Sequence, residues 1–183
     1  MSELLQFNGL VRVEEQPAGG MIAIRGDLTD ASMRAALAAI GLAVPDVRKV
    51  AFGDNRSVAW MSPDELLVFM PKGDVAASLA TLTEALAGVH SLVQDVSDMR
   101  ARFKVSGAQV RDVLGKVMPV DFATDGFAAG DIRRTRLAQV PAAIWMSEDG
   151  TVDVICFRSV ARYAFDVLKS SANSDSAVAY YSM

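Results

Sequence analysis

One short stretch of this chain occurs twice. Trp60-Met61-Ser62-Pro63-Asp64 is matched by Trp145-Met146-Ser147-Glu148-Asp149, 85 positions further on. An apolar run and then a helical pattern follow each copy. A strand–glycine–helix step also recurs in the same order, at Ile24-Arg25-Gly26 and at Val105-Ser106-Gly107, an offset of 81. Nearly constant offsets predict a duplicated supersecondary unit. In a chain of 183 residues each half lies near the lower limit for a free-standing fold. The halves are therefore expected to share a core or a sheet.

Periodicity supplies the content of the unit. Met21-Ile22-Ala23-Ile24-Arg25 reads as a strand ended by Gly26. Thr29 or Asp30 is placed to cap a helix striped by Met33, Ala36, Leu37 and Ile40, with Gly41 and Pro45 as its stop. Ser57–Met61 and Glu65–Met70 predict a hairpin turning at Ser62-Pro63-Asp64. The run from Leu66 to Met70 is apolar on both faces, which predicts a central, covered strand. Val75, Leu79, Leu82 and Leu86 stripe a second helix, and Leu92–Val96 reads as another strand. The order β-α-β-β-α-β is the ferredoxin-like pattern. The second half opens on Arg102-Phe103-Lys104-Val105, where apolar and basic residues alternate. A helix with Val110, Val113, Leu114 and Val117 inward ends at Pro119. Strands are expected at about 132–139, 141–147 and 151–157. A last helix spans about 159–170, with Val160, Tyr163, Ala164, Val167 and Leu168 inward. The predicted class is α+β, two fused ferredoxin-like β-α-β-β-α units with antiparallel sheets. Residues 1–20 are expected as an extended arm, 21–98 and 99–170 as the halves, and 171–183 as a mobile tail.

Composition bounds the function. Half of the residues, 51%, are hydrophobic and 22% are charged, which supports a packed core. A net charge of −4 gives no overall field for nucleic acid or an anionic membrane. The N-terminal residues do not read as a signal peptide, and no run is long and apolar enough to span a bilayer. The expected location is the cytoplasm. Basic residues cluster locally, at Arg100 and Arg102 and at Arg133, Arg134 and Arg136. These are either solvated strand faces or a docking face for an acidic partner.

No set of residues for independent chemistry emerges. There is one cysteine, Cys156, in the apolar run Val152-Asp153-Val154-Ile155-Cys156-Phe157, which predicts a buried, inert thiol. The one histidine, His90, falls at a predicted helix end. One of each falls short of a structural zinc site, and no serine sits in a nucleophile elbow. Gly26-Asp27-Leu28-Thr29-Asp30 lacks the glycines and the base of a phosphate loop and reads as a structural turn. Each tryptophan reads as a core anchor before a turn. Asp95-Val96-Ser97-Asp98, at the junction of the halves, reads as turn chemistry with an Asp–Arg pair, or as a clamp between domains or subunits.

Several stretches carry a family resemblance. Trp60-Met61-Ser62-Pro63-Asp64-Glu65-Leu66-Leu67 resembles the Trp-x-x-Pro-Asp-Glu-x-Leu strand entry of the sarcosine oxidase gamma subunit family. Asp95-Val96-Ser97 with Arg100 and Phe103-Lys104-Val105-Ser106-Gly107 is similar to its central segment. So is Leu114 followed by Pro119-Val120-Asp121. Phe157-Arg158-Ser159-Val160-Ala161-Arg162-Tyr163 resembles its last helix start. The order of the motifs over residues 20–170 makes the case. The resemblance implies a fold like the folate-binding domain of aminomethyltransferase (the glycine cleavage T-protein) and a non-catalytic subunit with no catalytic, cofactor or metal residue of its own. It implies alpha, beta and delta partner subunits, chiefly the large alpha subunit. FAD, FMN, NAD, zinc and tetrahydrofolate are expected in those partners, where sarcosine is demethylated to glycine. Arg100, Arg102, Arg133, Arg134 and Arg136 are the candidate contacts. Two other classes stay open. One is a folate-binding aminomethyltransferase-like or iron–sulfur assembly protein, although the Lys-Gly-Cys-Tyr-x-Gly-Gln type motif of the assembly proteins is missing around Cys156. The other is a stand-alone small-molecule binding module.

Overall fold

A computed structural model describes residues 4–181. In chain order the strands and helices are β1 (Gln6–Asn8), β2 (Arg12–Glu15), β3 (Gly20–Arg25), α1 (Ala31–Ala39), β4 (Val50–Gly53), β5 (Arg56–Ser62), β6 (Glu65–Met70), α2 (Val75–Ala85), β7 (Leu92–Asp95), β8 (Arg100–Ser106), α3 (Val110–Gly115), β9 (Ile132–Leu137), β10 (Val140–Met146), β11 (Val152–Phe157) and α4 (Ala161–Ser171). The chain divides into two compact units. One is Ala18–Ser97, and the other combines Met1–Pro17 with Asp98–Met183.

The Ala18–Ser97 unit has one antiparallel sheet in the order β4-β5-β6-β3-β7. Its last four strands carry the ferredoxin-like order. Every residue of β6 is buried, as its two-sided apolar run requires of a strand between two others. Ile22, Ile24, Val58, Leu66 and Val68 meet Met33, Ala36 and Leu37 of α1 and Val75 and Leu82 of α2 in one core. Asp30 caps α1, its carboxylate accepting from Ser32 N at 2.7 Å. The strand β4 was not expected. Only four residues long, it offers too little pattern to read.

The other unit repeats the plan. Its sheet runs β1-β2-β8-β11-β10-β9, all antiparallel. Strands β9, β10 and β11 take the places of β4, β5 and β6, and β8 takes that of β3. A 3-10 turn and helix at Lys72–Asp74 and Val75–Ala85 recur at Arg158–Val160 and Ala161–Ser171, both shifted by 86 positions. Gly26 and Gly107 end their strands at matching points with φ +156° and +133°. Phe103, Val105, Val113, Leu114, Val154 and Leu168 share the core. On α4 the inward aromatic is Phe165, while Tyr163, expected inward, is substantially exposed.

The N-terminal arm differs most from expectation. Residues 6–15 form a hairpin, and β2 pairs with β8 where β7 pairs with β3. Val11 and Val13 enter the core between Phe103 and Val105 on one side and α4 on the other. The turn is held by Leu10 N donating to Ala172 O at 2.8 Å. A Cβ on Gly9 would lie 2.1 Å from that carbonyl oxygen, so only glycine fits. Glu15 closes the strand end with Arg158 at 2.8 Å. The expected tail is also tied. Asp112 accepts from the backbone N–H groups of Tyr180 and Tyr181, each at 2.8 Å, and Lys116 Nζ donates to Ser171 O and Ser176 O. Residues 1–3 and 182–183 of the expected arm and tail, and with them the start of the segment read for a leader, lie outside the described residues.

The role of β2 gives a test. Val13 is fully buried, so Val13→Ala is expected to cost about 2 kcal/mol in urea unfolding. Arg12→Ala removes an exposed pair with Glu14 and is expected to change stability by less than about 0.5 kcal/mol.

Candidate functional site

The five arginines fall on two faces of one sheet. Directly paired residues share a face. Arg134 lies opposite Ala143, and Ala143 opposite Ile155, which pairs with Arg102. Arg136 pairs with Pro141, and Arg100 with Phe157. Alternation therefore puts Arg100, Arg102, Arg134 and Arg136 on the face away from the helices. Arg133 is on the other face.

Their environments differ more than their charges do. Arg102 Nε lies 2.7 Å from Asp153 Oδ1, and its guanidinium stacks 5.5 Å from the centre of the Trp145 ring. Asp153 is almost wholly buried, so this pair balances a charge the fold has taken out of water. Arg133 donates to Gly126 O at 2.7 Å, reaches Asp131 at 3.4 Å and covers the Phe127 ring at 5.7 Å. It holds the loop before β9. Arg100 stacks on Phe157 at 5.2 Å. Arg134 and Arg136 are exposed, and Arg136 bonds locally, to Gln139. The sequence reading overlooked Arg111. Its guanidinium collects Phe122 O at 2.6 Å, Phe127 O at 2.8 Å and Ala123 O at 3.3 Å, and so folds residues 122–127 over α3. The signal was present: Arg111 and Asp112 interrupt an otherwise apolar helical stripe.

A groove of about 800 Å³ opens in the Ala18–Ser97 unit beside Gly26, between the β5–β6 turn and the entry to β7. Arg25, Asp27, Asp30, Asp64 and His90 line it. The fold already uses its charged groups. Arg25 meets Glu65 at 3.0 Å, and Asp64 accepts from Ser62 Oγ. Asp27 accepts from Thr29 N and Oγ1, and these bonds hold its carboxyl below the ordinary range. The expected structural turn is what the backbone shows here. His90 is exposed at the rim and makes no hydrogen bond among the described residues. A smaller cleft, about 370 Å³, sits at the matching place beside Gly107. Among the described residues no group of three His, Cys, Asp or Glu could hold a metal, and no helix is long and apolar enough to cross a membrane.

Asp95 and Ser97 form a local clamp inside the Ala18–Ser97 unit. Asp95 Oδ1 accepts from Ser97 N at 2.9 Å and from Ser97 Oγ at 2.5 Å, while Ser97 Oγ accepts from Met21 N at 3.0 Å. The relay ties the exit of β7 to the start of β3. The Ser97 bonds hold the Asp95 carboxyl below its ordinary 3.8. A carboxyl depressed in the folded state stabilises above its unfolded value and loses that contribution as pH falls. The stability gap between the native chain and Asp95→Asn should therefore be constant near neutrality and shrink below about pH 4 in urea titrations. Ser97→Ala, which strips a buried N–H of its acceptor, is expected to cost about 1–2 kcal/mol.

Cys156 is buried under the β10–β11 pairing, and burial pushes its thiol up to about 11. Iodoacetamide at pH 8 is expected to leave it unmodified in the folded chain and to alkylate it after unfolding. Rapid native modification would contradict this packing.

The family model described as sarcosine oxidase, gamma subunit family matches residues 25–174. The gamma subunit of sarcosine oxidase from Arthrobacter sp is 31% identical over 139 residues, covering 75% of this chain and 68% of that protein. A chain of heterotetrameric sarcosine oxidase from Corynebacterium sp. U-96, solved with pyrrole 2-carboxylate, superposes with a TM-score of 0.84 at 25% identity, covering 94% of this chain and 90% of that one. The glycine cleavage system aminomethyltransferase T from Bartonella henselae shares the fold. Its TM-score is 0.62 at 14% identity, over 84% of this chain and 44% of that one. The expected likeness to the aminomethyltransferase fold is thus present.

Proposed function

The chain belongs to the sarcosine oxidase gamma subunit family, and from that premise we propose that it is the non-catalytic gamma subunit of a heterotetrameric sarcosine oxidase. The observation that carries the reading is the superposition of 94% of this chain on a chain of the heterotetrameric enzyme. Its supporting counterpart is the use of charge. Arg111, Arg133, Asp112 and Lys116 hold backbone and loops, and Arg102 balances the buried Asp153.

In this reading the chain positions partner subunits in the cytoplasm. The partners are alpha, beta and delta subunits, with the large alpha subunit as the main contact. They hold FAD, FMN, NAD and zinc, and tetrahydrofolate receives the one-carbon unit. There sarcosine is oxidised by dioxygen to glycine with release of hydrogen peroxide. Contact runs in part through the basic face, where Arg134 and Arg136 are exposed beside Arg100 and Arg102. Like-charge reversal at a docking rim weakens association while leaving the fold intact.

The test is reconstitution of the full chain with the other three subunits. The isolated chain is expected to be colourless, to show no sarcosine turnover and to gain no thermal stability from tetrahydrofolate. Arg134→Glu with Arg136→Glu should weaken its assembly about tenfold or more, with an unchanged circular dichroism spectrum. Native affinity in that folded double variant would remove the basic face from the interface. Stabilisation of the isolated chain by tetrahydrofolate would favour a folate-binding protein instead.

A further inference from the structure

The duplicated plan is an internal control on what the fold requires. Strands β4 and β9 hold the same place, each at the outer edge of its sheet. Strand β9 has arginines at its exposed positions, 134 and 136, and its large apolar residues Ile132 and Leu137 are buried. Charged edges resist the addition of a further strand. Strand β4, Val-Ala-Phe-Gly, has no charge at all. Phe52 is 55% exposed, and Val47, in the turn leading to it, is 66% exposed.

The backbone of β4 is set for pairing. Its hairpin with β5 closes with Gly53 opposite Arg56, and Trp60 N donates to Lys49 O at 3.1 Å. Peptide groups alternate in direction along an antiparallel strand. The Lys49 carbonyl and residues 51 and 53 therefore turn toward β5, and Val50 and Phe52 turn outward. No other strand pairs with that outer edge among the described residues. Beside it stands Arg48, exposed and at φ +62°. Few non-glycine residues hold this left-handed conformation. Its turn is closed by Lys49 N donating to Asp46 O at 3.0 Å, and its guanidinium makes no hydrogen bond or ion pair among the described residues. An exposed ring, outward amides and an unengaged cation thus meet in one segment of a chain with a net charge of −4.

We propose that the outer edge of β4 receives an extended segment of a partner subunit as an added strand, with an apolar side chain over Phe52 and a carboxylate against Arg48. The proposal rests on the subunit assignment above. Main-chain bonds along such an edge supply affinity, and side-chain pockets and charges supply selectivity. The small extent of the edge argues for this occupant over a second copy of the chain. Two outward residues and one ring cannot supply the roughly 1,200 Å² that a stable dimer buries. They suit a segment of a subunit that is also held elsewhere, where each contact acts at high effective concentration.

Binding of the full chain to the other three subunits, followed by interferometry, decides the matter. Phe52→Asp is expected to weaken it at least about 30-fold, and Arg48→Glu about tenfold. Phe52→Pro removes an outward N–H at an edge position that tolerates proline, and should bind several-fold more weakly than Phe52→Ala. Arg48→Gly relieves the positive φ, so it should raise Tm while weakening binding. Native affinity in folded Phe52→Asp and Arg48→Glu variants would overturn the proposal. So would a concentration-dependent dimer of the isolated chain that Phe52→Asp abolishes, since the occupant would then be a second copy. Should Phe52→Pro fail to fold, Arg48→Glu, altered at an exposed turn, is decisive by itself. A native chain that binds none of the subunits would overturn the subunit assignment beneath the proposal.

Discussion

The structure depends on covering one strand edge. Phe103 and Val105 make β8 a core strand, and its outer amides cannot be left bare beside them. In the Ala18–Ser97 unit the matching edge, that of β3, is covered by β7, the strand that follows α2. Among the described residues no strand follows α4. Residues 12–15 supply the covering strand from the other terminus, with Val13 in the core and Glu15 locked to Arg158. That closure makes the second unit discontinuous in sequence. It also brings Leu10 to the end of α4, where its N–H reaches Ala172 O.

The elements that were legible in the sequence had long or two-sided patterns. The all-apolar run of β6 had to be central, the alternation in β8 had to be half-buried, and the repeated Trp-Met-Ser step gave the duplication. What escaped was short or masked. Residues 11–14, leading into and along β2, alternate Val11 and Val13 with Arg12 and Glu14, and Asn8-Gly9 before them is a hairpin signal. Pro17 and the Gly19-Gly20 pair outweighed that signal. The misassigned face of α4 has a similar cause. Tyr163 and Phe165 are both aromatic, and only packing against Phe103, 6.3 Å between ring centres, selects Phe165 as the inward one. The tail gave no pattern because its anchors, Asp112 and Lys116, lie some sixty residues earlier.

Charge in a sequence marks a candidate, and geometry decides its use. Five arginines were equivalent as letters. In the fold Arg102 and Arg133 are committed to Asp153 and to the loop before β9, while Arg134 and Arg136 stay at the surface. The groove beside Gly26 follows the same rule, since its carboxylates cap α1, close turns or meet Arg25. A chain whose polar groups are spent on its own backbone has its edges and faces left for partners.

That claim is tested most directly by hydrogen exchange of this chain, free and within the assembled enzyme. The account predicts that assembly protects amides at residues 48–53 and 132–137. The groove residues around Gly26 and His90 should respond neither to sarcosine nor to tetrahydrofolate in the free chain. Unchanged exchange along both edges on assembly, with ligand-dependent protection of the groove, would contradict it and make the chain a binding protein in its own right.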